Sequence, residues 1–167
     1  MKMAGIEQIL YRGSVKDIRG VEGKSPYIFE FSDRYSIFDW GEMPDQLKGK
    51  GEALAFMAWF FFDYLGNPKN WADWKAPAGF EVVPALRRLR EKGMAHHMIG
   101  LVSHDMKTLS LEREIMAPSR NLAVHPVAVL RPPVLEKDKK IVWDYSAYQA
   151  RPKNALVPLE VIFRFGI

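Results

Sequence analysis

The sequence predicts an α+β fold, a mostly antiparallel sheet with helices packed on it. Three observations carry that reading. Short alternating apolar runs, punctuated by glycine, crowd the first 31 residues. Two helical stretches follow, at Glu52 to Leu65 and Val82 to Lys92. Strand-like apolar runs then return in the last third, so strands do not alternate with helices as a parallel sheet would require.

Taken in order, Ile6 to Arg12 is predicted as a strand ending at Gly13, and Ser14 to Arg19 as its hairpin partner. Gly20 to Ser25 reads as a turn, and Tyr27 to Phe31 as a third strand. Asp33 to Trp40 is a polar and aromatic connection, and Pro44 to Gly51 a loop rich in glycine and lysine. The apolar density of Glu52 to Leu65 fits a buried helix that Gly66-Asn67-Pro68 would end, with Trp59, Phe60, Phe61 and Phe62 assigned to the core. Lys69 to Gly79 looks irregular. Val82 to Lys92 is amphipathic, with Val83, Leu86 and Leu89 on one face, and Gly93 as its C-terminal cap. Strands are expected at His97 to Ser103, Val124 to Leu130, Ile141 to Tyr145 and Leu156 to Phe165, with a charged turn at Glu136 to Lys140.

With 48% hydrophobic residues in 167, a substantial core can form. The absence of cysteine excludes disulfides and thiolate metal sites, and a reducing cytoplasm is the expected location. The apolar run Ala53 to Leu65 is too short to span a membrane and contains Asp63, so no membrane partner is expected. Met1-Lys2-Met3-Ala4-Gly5 lacks the apolar stretch of a secretory signal. The net charge of +4 is uneven, with residues 84–167 holding the basic excess. Arg87, Arg88, Arg90 and Lys92 read as the wet face of one helix, and Lys137, Lys139 and Lys140 as a hairpin tip. Nucleic acid is therefore not an expected partner.

Several residues are candidates for chemistry. A bend at Gly13 brings backbone amides close to an anion, and Lys16 adds charge; a tight hairpin with a solvated lysine gives the same pattern. The motif is neither GxGxxG nor a P-loop. Asp33 and Arg34 follow a strand directly and can pair with each other at the edge of a ligand site, or Asp33 can cap a local turn. Lys48-Gly49-Lys50-Gly51 precedes a helix, where amides and lysines favour an anion; a solvated loop is the alternative. The four histidines have no metal-ligand spacing, and no metal ligands are assigned. Glu160 and Arg164 share one side of the last expected strand, where buried charge requires a partner or a ligand.

In this order, the motifs resemble the SAICAR synthetase family (phosphoribosylaminoimidazole-succinocarboxamide synthase). Its opening loop GK(V/A)(R/K)D is similar to Gly13-Ser14-Val15-Lys16-Asp17. Its TDRxSxxD segment is similar to Ser32-Asp33-Arg34-Tyr35-Ser36-Ile37-Phe38-Asp39. Its PGKG-like loop is similar to Leu47-Lys48-Gly49-Lys50-Gly51, and its P(I/L)E strand to Pro158-Leu159-Glu160-Val161-Ile162-Phe163-Arg164. Ser14 stands where the family has its first basic loop residue, and Pro132 follows Arg131 where a basic pair is usual.

The resemblance implies the N-terminal, ATP-loop lobe of an ATP-dependent ligase of purine biosynthesis. Such a ligase joins carboxyaminoimidazole ribotide to L-aspartate, with ATP and Mg²⁺ as cofactors. It implies ATP contacts at Gly13, Ser14, Val15 and Lys16, and a linker strand with Val129, Leu130 and Arg131 against adenine. It also implies substrate contacts at Asp33, Arg34, Lys50, Glu160 and Arg164. A division into a lobe at 1–125, with the glycine loop and two helices, and a linker plus the start of a second lobe at 126–167 is expected. The apolar last residues predict an N-terminal part of a longer enzyme, inactive in ligation alone. A non-catalytic module derived from that lobe is the alternative, and a homo-oligomer is an expected assembly.

Overall fold

The computed structural model describes residues 6, 8–37, 40–76, 78–79, 83–110, 118–137 and 140–159. Two compact units divide the chain, Met1–Pro126 and Val127–Ile167. The first is built on a six-stranded antiparallel sheet. Its strands are β1 (Ile9–Arg12), β2 (Lys16–Val21), β3 (Lys24–Phe31), β6 (Met98–Val102), β7 (Leu109–Ser110) and β8 (Asn121–Val124). Their order in space is β1-β2-β3-β8-β6-β7. A two-stranded ribbon, β4 (Ser36–Ile37) with β5 (Gly41–Glu42), follows the sheet's third strand.

Pleating divides the sheet's side chains between two faces. On one, Phe31, Leu101, Leu122 and Val124 bury against Ala55 and Trp59 of helix α1 (Lys50–Gly66). On the other, Ile28, Val102 and Ala123 pack with Ile6. Cross-strand register keeps the faces separate: Lys16 lies opposite Phe31 and Ile18 opposite Phe29, while Asp17 lies opposite Glu30. Helix α1 packs on β3, β6 and β8, the central part of the sheet.

Helix α1 starts and ends about where its sequence says. Gly49 precedes it in a left-handed conformation, and the Asn67 amide closes it onto the Tyr64 carbonyl ahead of Pro68. A 3₁₀ turn, Pro68–Trp71, leads on toward α2 (Val83–Lys92), whose Leu86 and Leu89 are half-buried among exposed arginines. Gly93 then caps α2 at φ 69°, donating to the Leu89 carbonyl at 2.8 Å. A Cβ on Gly93 would lie 1.8 Å from the Gly66 carbonyl oxygen. The end of α1 and the end of α2 meet backbone to backbone there, and Met94 donates to the Leu65 carbonyl at 2.9 Å.

Four expectations are corrected. The eighth strand is Asn121–Val124, not Val124 to Leu130: Pro126 has no amide to extend the ladder and Pro132-Pro133 forbid its return. The expected linker strand is instead an irregular run with one parallel bridge, Ala128 to Ala155. Leu156 to Leu159 are exposed and irregular rather than a strand, and residues 160–165 of that expectation lie outside the described residues. Nor is α1 buried all round, since Phe60 and Phe61 are exposed on the side away from the sheet.

The second unit holds a hairpin of β9 (Val134–Lys137) and β10 (Lys140–Trp143) and a single helical turn, α3 (Ser146–Gln149). Tyr148 ties its ends together, its hydroxyl lying 3.1 Å from both the Leu130 and the Leu156 carbonyls. No helix among the described residues is long and apolar enough to cross a membrane.

Gly93→Ala is expected to cost about 2 kcal/mol or more, combining left-handed backbone strain with the clash at Gly66. A urea-denaturation midpoint unchanged from the parent protein would contradict this.

Candidate functional site

The β1–β2 hairpin turns at Gly13, whose amide donates to the Lys16 carbonyl at 3.0 Å. A Cβ at Gly13 would stand 2.8 Å from that same oxygen, so the tightness of the turn requires glycine. Beneath it lies a cleft of about 330 Å³ lined by Tyr11, Gly13, Ser14, Val15, Lys16 and Ile18. Register explains the cleft. Tyr11 pairs with Ile18, and both share the α1 face of the sheet with Lys16. Helix α1 covers the central strands and leaves the β1–β2 end of that face open.

Lys16 is half-buried, with its ammonium 4.9 Å from the Phe29 ring centroid and 5.7 Å from that of Phe31. Burial pushes its pKa below 10.5. Among the described residues, no carboxylate forms an ion pair with it. Further along the same face, His97 contacts Phe29 and Phe62. Burial first, then the neighbouring charges of His96, Lys16 and His125, holds His97 below 6.5, so it is neutral at physiological pH.

Asp33 and Arg34 do not pair with each other. Arg34 crosses to Asp17 on the sheet's opposite face, donating through its NH2 group at 2.5 Å and its NH1 group at 3.3 Å. The same NH2 group donates to the Gly13 carbonyl at 2.8 Å, which ties the glycine turn to this ion pair. The hydrogen bonds that Arg34 donates to Asp17, with the carboxylate's charge adding, raise the Arg34 pKa, so the guanidinium stays charged. Arg34 also faces Glu42 at 3.7 Å.

Asp33 is buried and turned toward α1. Its Oδ1 accepts from the Gly51 amide at 2.8 Å, and its Oδ2 from the Arg120 NH2 group at 3.3 Å. The anion expected at the start of α1 is therefore the protein's own carboxylate. Lys50 points away from any such site, donating to the Arg34 carbonyl at 2.6 Å and approaching that of Ser32 at 3.5 Å. Ser32 completes the frame by bonding the Val15 carbonyl through both its amide, at 2.8 Å, and its hydroxyl, at 2.9 Å.

The structure thus brings Gly13, Ser14, Val15 and Lys16 to one cleft. It makes Asp33, Arg34 and Lys50 the scaffold behind that cleft. Val129, Leu130 and Arg131 belong to the second unit, where the Leu130 carbonyl is held by Tyr148. Glu160, Arg164 and Asp39 lie outside the described residues. Sequence reasoning missed Asp17 and Arg120 as partners. Asp17 stood in the glycine motif, on the strand paired with the one that leads into Arg34, and that was a usable signal. Arg120 lies 87 positions from Asp33, and nothing local marks it.

Comparison with known proteins decides the family. The SAICAR synthetase family matches residues 9–165. The chain belongs to the SAICAR synthetase family. A protein of Archaeoglobus fulgidus, provisionally named phosphoribosylaminoimidazole-succinocarboxamide synthase, is 33% identical over 159 residues, covering 93% of this chain and 38% of that protein. A phosphoribosylaminoimidazole-succinocarboxamide synthase of Methanoregula boonei is 39% identical over 59 residues, which is 35% of this chain and 23% of that one. SAICAR-synthase from Saccharomyces cerevisiae complexed with SAICAR is a structural neighbour with a TM-score of 0.40 and 22% identity, covering 80% of this chain and 38% of that one. The chain thus spans well under half the length of the SAICAR synthetase relatives it matches.

Asp33→Asn is expected to cost about 2 kcal/mol at pH 7, through loss of the helix-cap bond and the Arg120 pair. The Gly51 amide, chiefly, and Arg120 hold the Asp33 carboxyl below 3.8. A carboxyl depressed on folding stabilises fully above its unfolded value and loses that contribution as pH falls through its folded value. The gap between parent and Asp33→Asn should therefore close on acidification below the ordinary carboxylate range. Urea denaturation along an acid series checks this, and a gap constant with pH would refute it.

Proposed function

We propose that this chain is the ATP-loop part of an ATP-dependent ligase that joins carboxyaminoimidazole ribotide to L-aspartate, giving SAICAR, ADP and phosphate. The observation that carries this reading is Lys16, a half-buried ammonium that no carboxylate among the described residues pairs with, lining a cleft under a glycine turn. Such a group lowers its free energy by meeting an anion, and a nucleotide phosphate supplies one. The Gly13 amide is already spent within the turn, so Lys16 and the rest of the turn at Ser14 and Val15 are assigned to the phosphates. In this reading Arg34 holds the turn in place through the Gly13 carbonyl and is a positioning residue.

In the proposed reaction, a carboxylate oxygen of the ribotide attacks the γ-phosphorus of ATP. ADP leaves and an acyl phosphate forms. The amine of L-aspartate then attacks the acyl carbon, loses a proton and expels phosphate. Adenine contacts at Val129, Leu130 and Arg131, and ribotide contacts at Glu160 and Arg164, rest on the family resemblance alone. Among the described residues no group of three histidine or acidic side chains is arranged to hold a metal ion. Asp17 and Asp33 are both engaged by arginines, so no Mg²⁺ ligand is assigned to this part of the chain. A nucleotide-binding module without ligase activity is the second reading, favoured by Ser14 in place of a basic loop residue and by Lys50 being tied to backbone carbonyls.

A thermal-shift titration with MgATP, MgADP and a non-nucleotide polyanion tests the nucleotide site. At about one hundred times Kd, binding should add roughly 2.7 kcal/mol, a rise of a few degrees for a domain of this size. Lys16→Met should weaken the response to both adenine nucleotides by about tenfold or more, since one charge-assisted bond of roughly 1.5–3 kcal/mol is lost. An equal response to the polyanion, or no response to nucleotide, would remove the support for this reading.

A further inference from the structure

Arg34 holds the glycine turn with only part of its planar fork of donors. Its NH2 group donates to the Asp17 Oδ1 and to the Gly13 carbonyl, and its NH1 group donates to the Asp17 Oδ2. The Nε–H is buried and makes no hydrogen bond among the described residues. A buried donor left unpaired is costly. Glu42, on β5, faces it: the Oε2 of that carboxylate lies 3.7 Å from the Arg34 Nε. That is about 0.8 Å beyond an ordinary N–H···O bond. The other oxygen, Oε1, accepts from the Arg12 NH2 group at 3.4 Å.

The direction of the turn's carbonyls matters to an anion, because a carbonyl oxygen aimed at a phosphate repels it. Arg34 engages the Gly13 carbonyl and Ser32 engages that of Val15, so both oxygens are drawn to the scaffold. Ser32 is secured to Val15 twice, through its amide and its hydroxyl. Arg34 is secured by its two terminal nitrogens, and its Nε is left over. Glu42 is suited to take up that donor. Its side chain is 46% exposed, so little packing holds the carboxylate off. Its strand pairs with β4 through only two residue pairs, Ser36 with Glu42 and Ile37 with Gly41. A ribbon that short offers weak resistance to a shift of under an ångström.

We propose that Glu42 is a positioning residue for the glycine turn. When a phosphate occupies the cleft, the Glu42 carboxylate closes onto the free Nε–H of Arg34 and fixes Arg34 against the Gly13 carbonyl. This role rests on the nucleotide reading of the cleft. An anion beside the turn penalises any swing of the Gly13 carbonyl toward it. The contact that prevents the swing is therefore stronger in the bound state, and binding shifts the population toward it.

Charge alone predicts the opposite result. Removing a negative side chain near the glycine turn should tighten the binding of a polyphosphate, and removing a positive one should weaken it. With Glu42 as a positioning residue, Glu42→Ala should weaken MgADP binding about fivefold or more, the loss of one hydrogen bond to a charged group. Glu42→Gln keeps an oxygen that accepts from Nε and should stay within about twofold of the parent protein. Arg12→Gln removes only an exposed partner and should also stay within about twofold. Titration calorimetry of the 167-residue chain with MgADP measures all four proteins. Urea denaturation without nucleotide should give Glu42→Ala the midpoint of the parent, since the contact is open there. A parent that binds no MgADP overturns the nucleotide reading and this role together. A parent that binds, with Glu42→Ala equal to it or tighter, overturns this role alone. The same holds if Arg12→Gln or Glu42→Gln binds as weakly as Glu42→Ala, or if Glu42→Ala is less stable than the parent without nucleotide.

Discussion

The Asp33 carboxylate is the contact on which the packing of α1 beside the central strands depends. One oxygen fixes the first turn of α1 through the Gly51 amide, and the other holds Arg120 at the entry to β8. Helix, loop and central strand are thereby registered to one another at a single buried point. Its neighbour Arg34 emerges on the other side of the chain and reaches Asp17 and the Gly13 carbonyl. Two adjacent residues thus fix the start of α1 on one side and the glycine turn on the other. Ion pairs this buried add little net stability against well-packed apolar groups, but breaking one partner away is costly. Their contribution is to geometry.

This arrangement decides where an anion is welcome. The start of α1 carries the positive end of a helix dipole with lysines nearby, and on local grounds it is a binding site. Asp33 neutralises it from within, and Lys50 spends its donors on carbonyls. The positive charge left over on the α1 face of the sheet near the turn is Lys16, held against Phe29 and Phe31. Aromatic faces stabilise an ammonium only weakly compared with a phosphate oxygen. Phe29 and Phe31 therefore hold the ammonium in place without supplying it a counter-charge.

Much of the fold was legible in the sequence because its signals were local. Glycine at the first hairpin, alternation through β3, the amphipathic pattern of α2 and its Gly93 cap each concern a few neighbouring residues. The strand placed at Val124 to Leu130 failed because hydrophobicity outweighed three prolines that forbid a ladder. The site was less legible, for the same reason in reverse. Proximity along the chain suggested Asp33 with Arg34, while the fold pairs each with a residue far away. Those partners follow from strand order, and strand order is not written in any single segment.

The division of labour between the sheet's faces follows from its width. One helix of 17 residues covers the central strands but not the β1–β2 edge. An uncovered sheet face is a liability when it is flat and apolar. Here Ile18 and Tyr11 leave a partly apolar floor, and Lys16 beside them makes the opening attractive to a charged ligand rather than to another strand. The edge strand β1 is only four residues long and carries Arg12 toward Glu42 at 3.4 Å, which further discourages pairing.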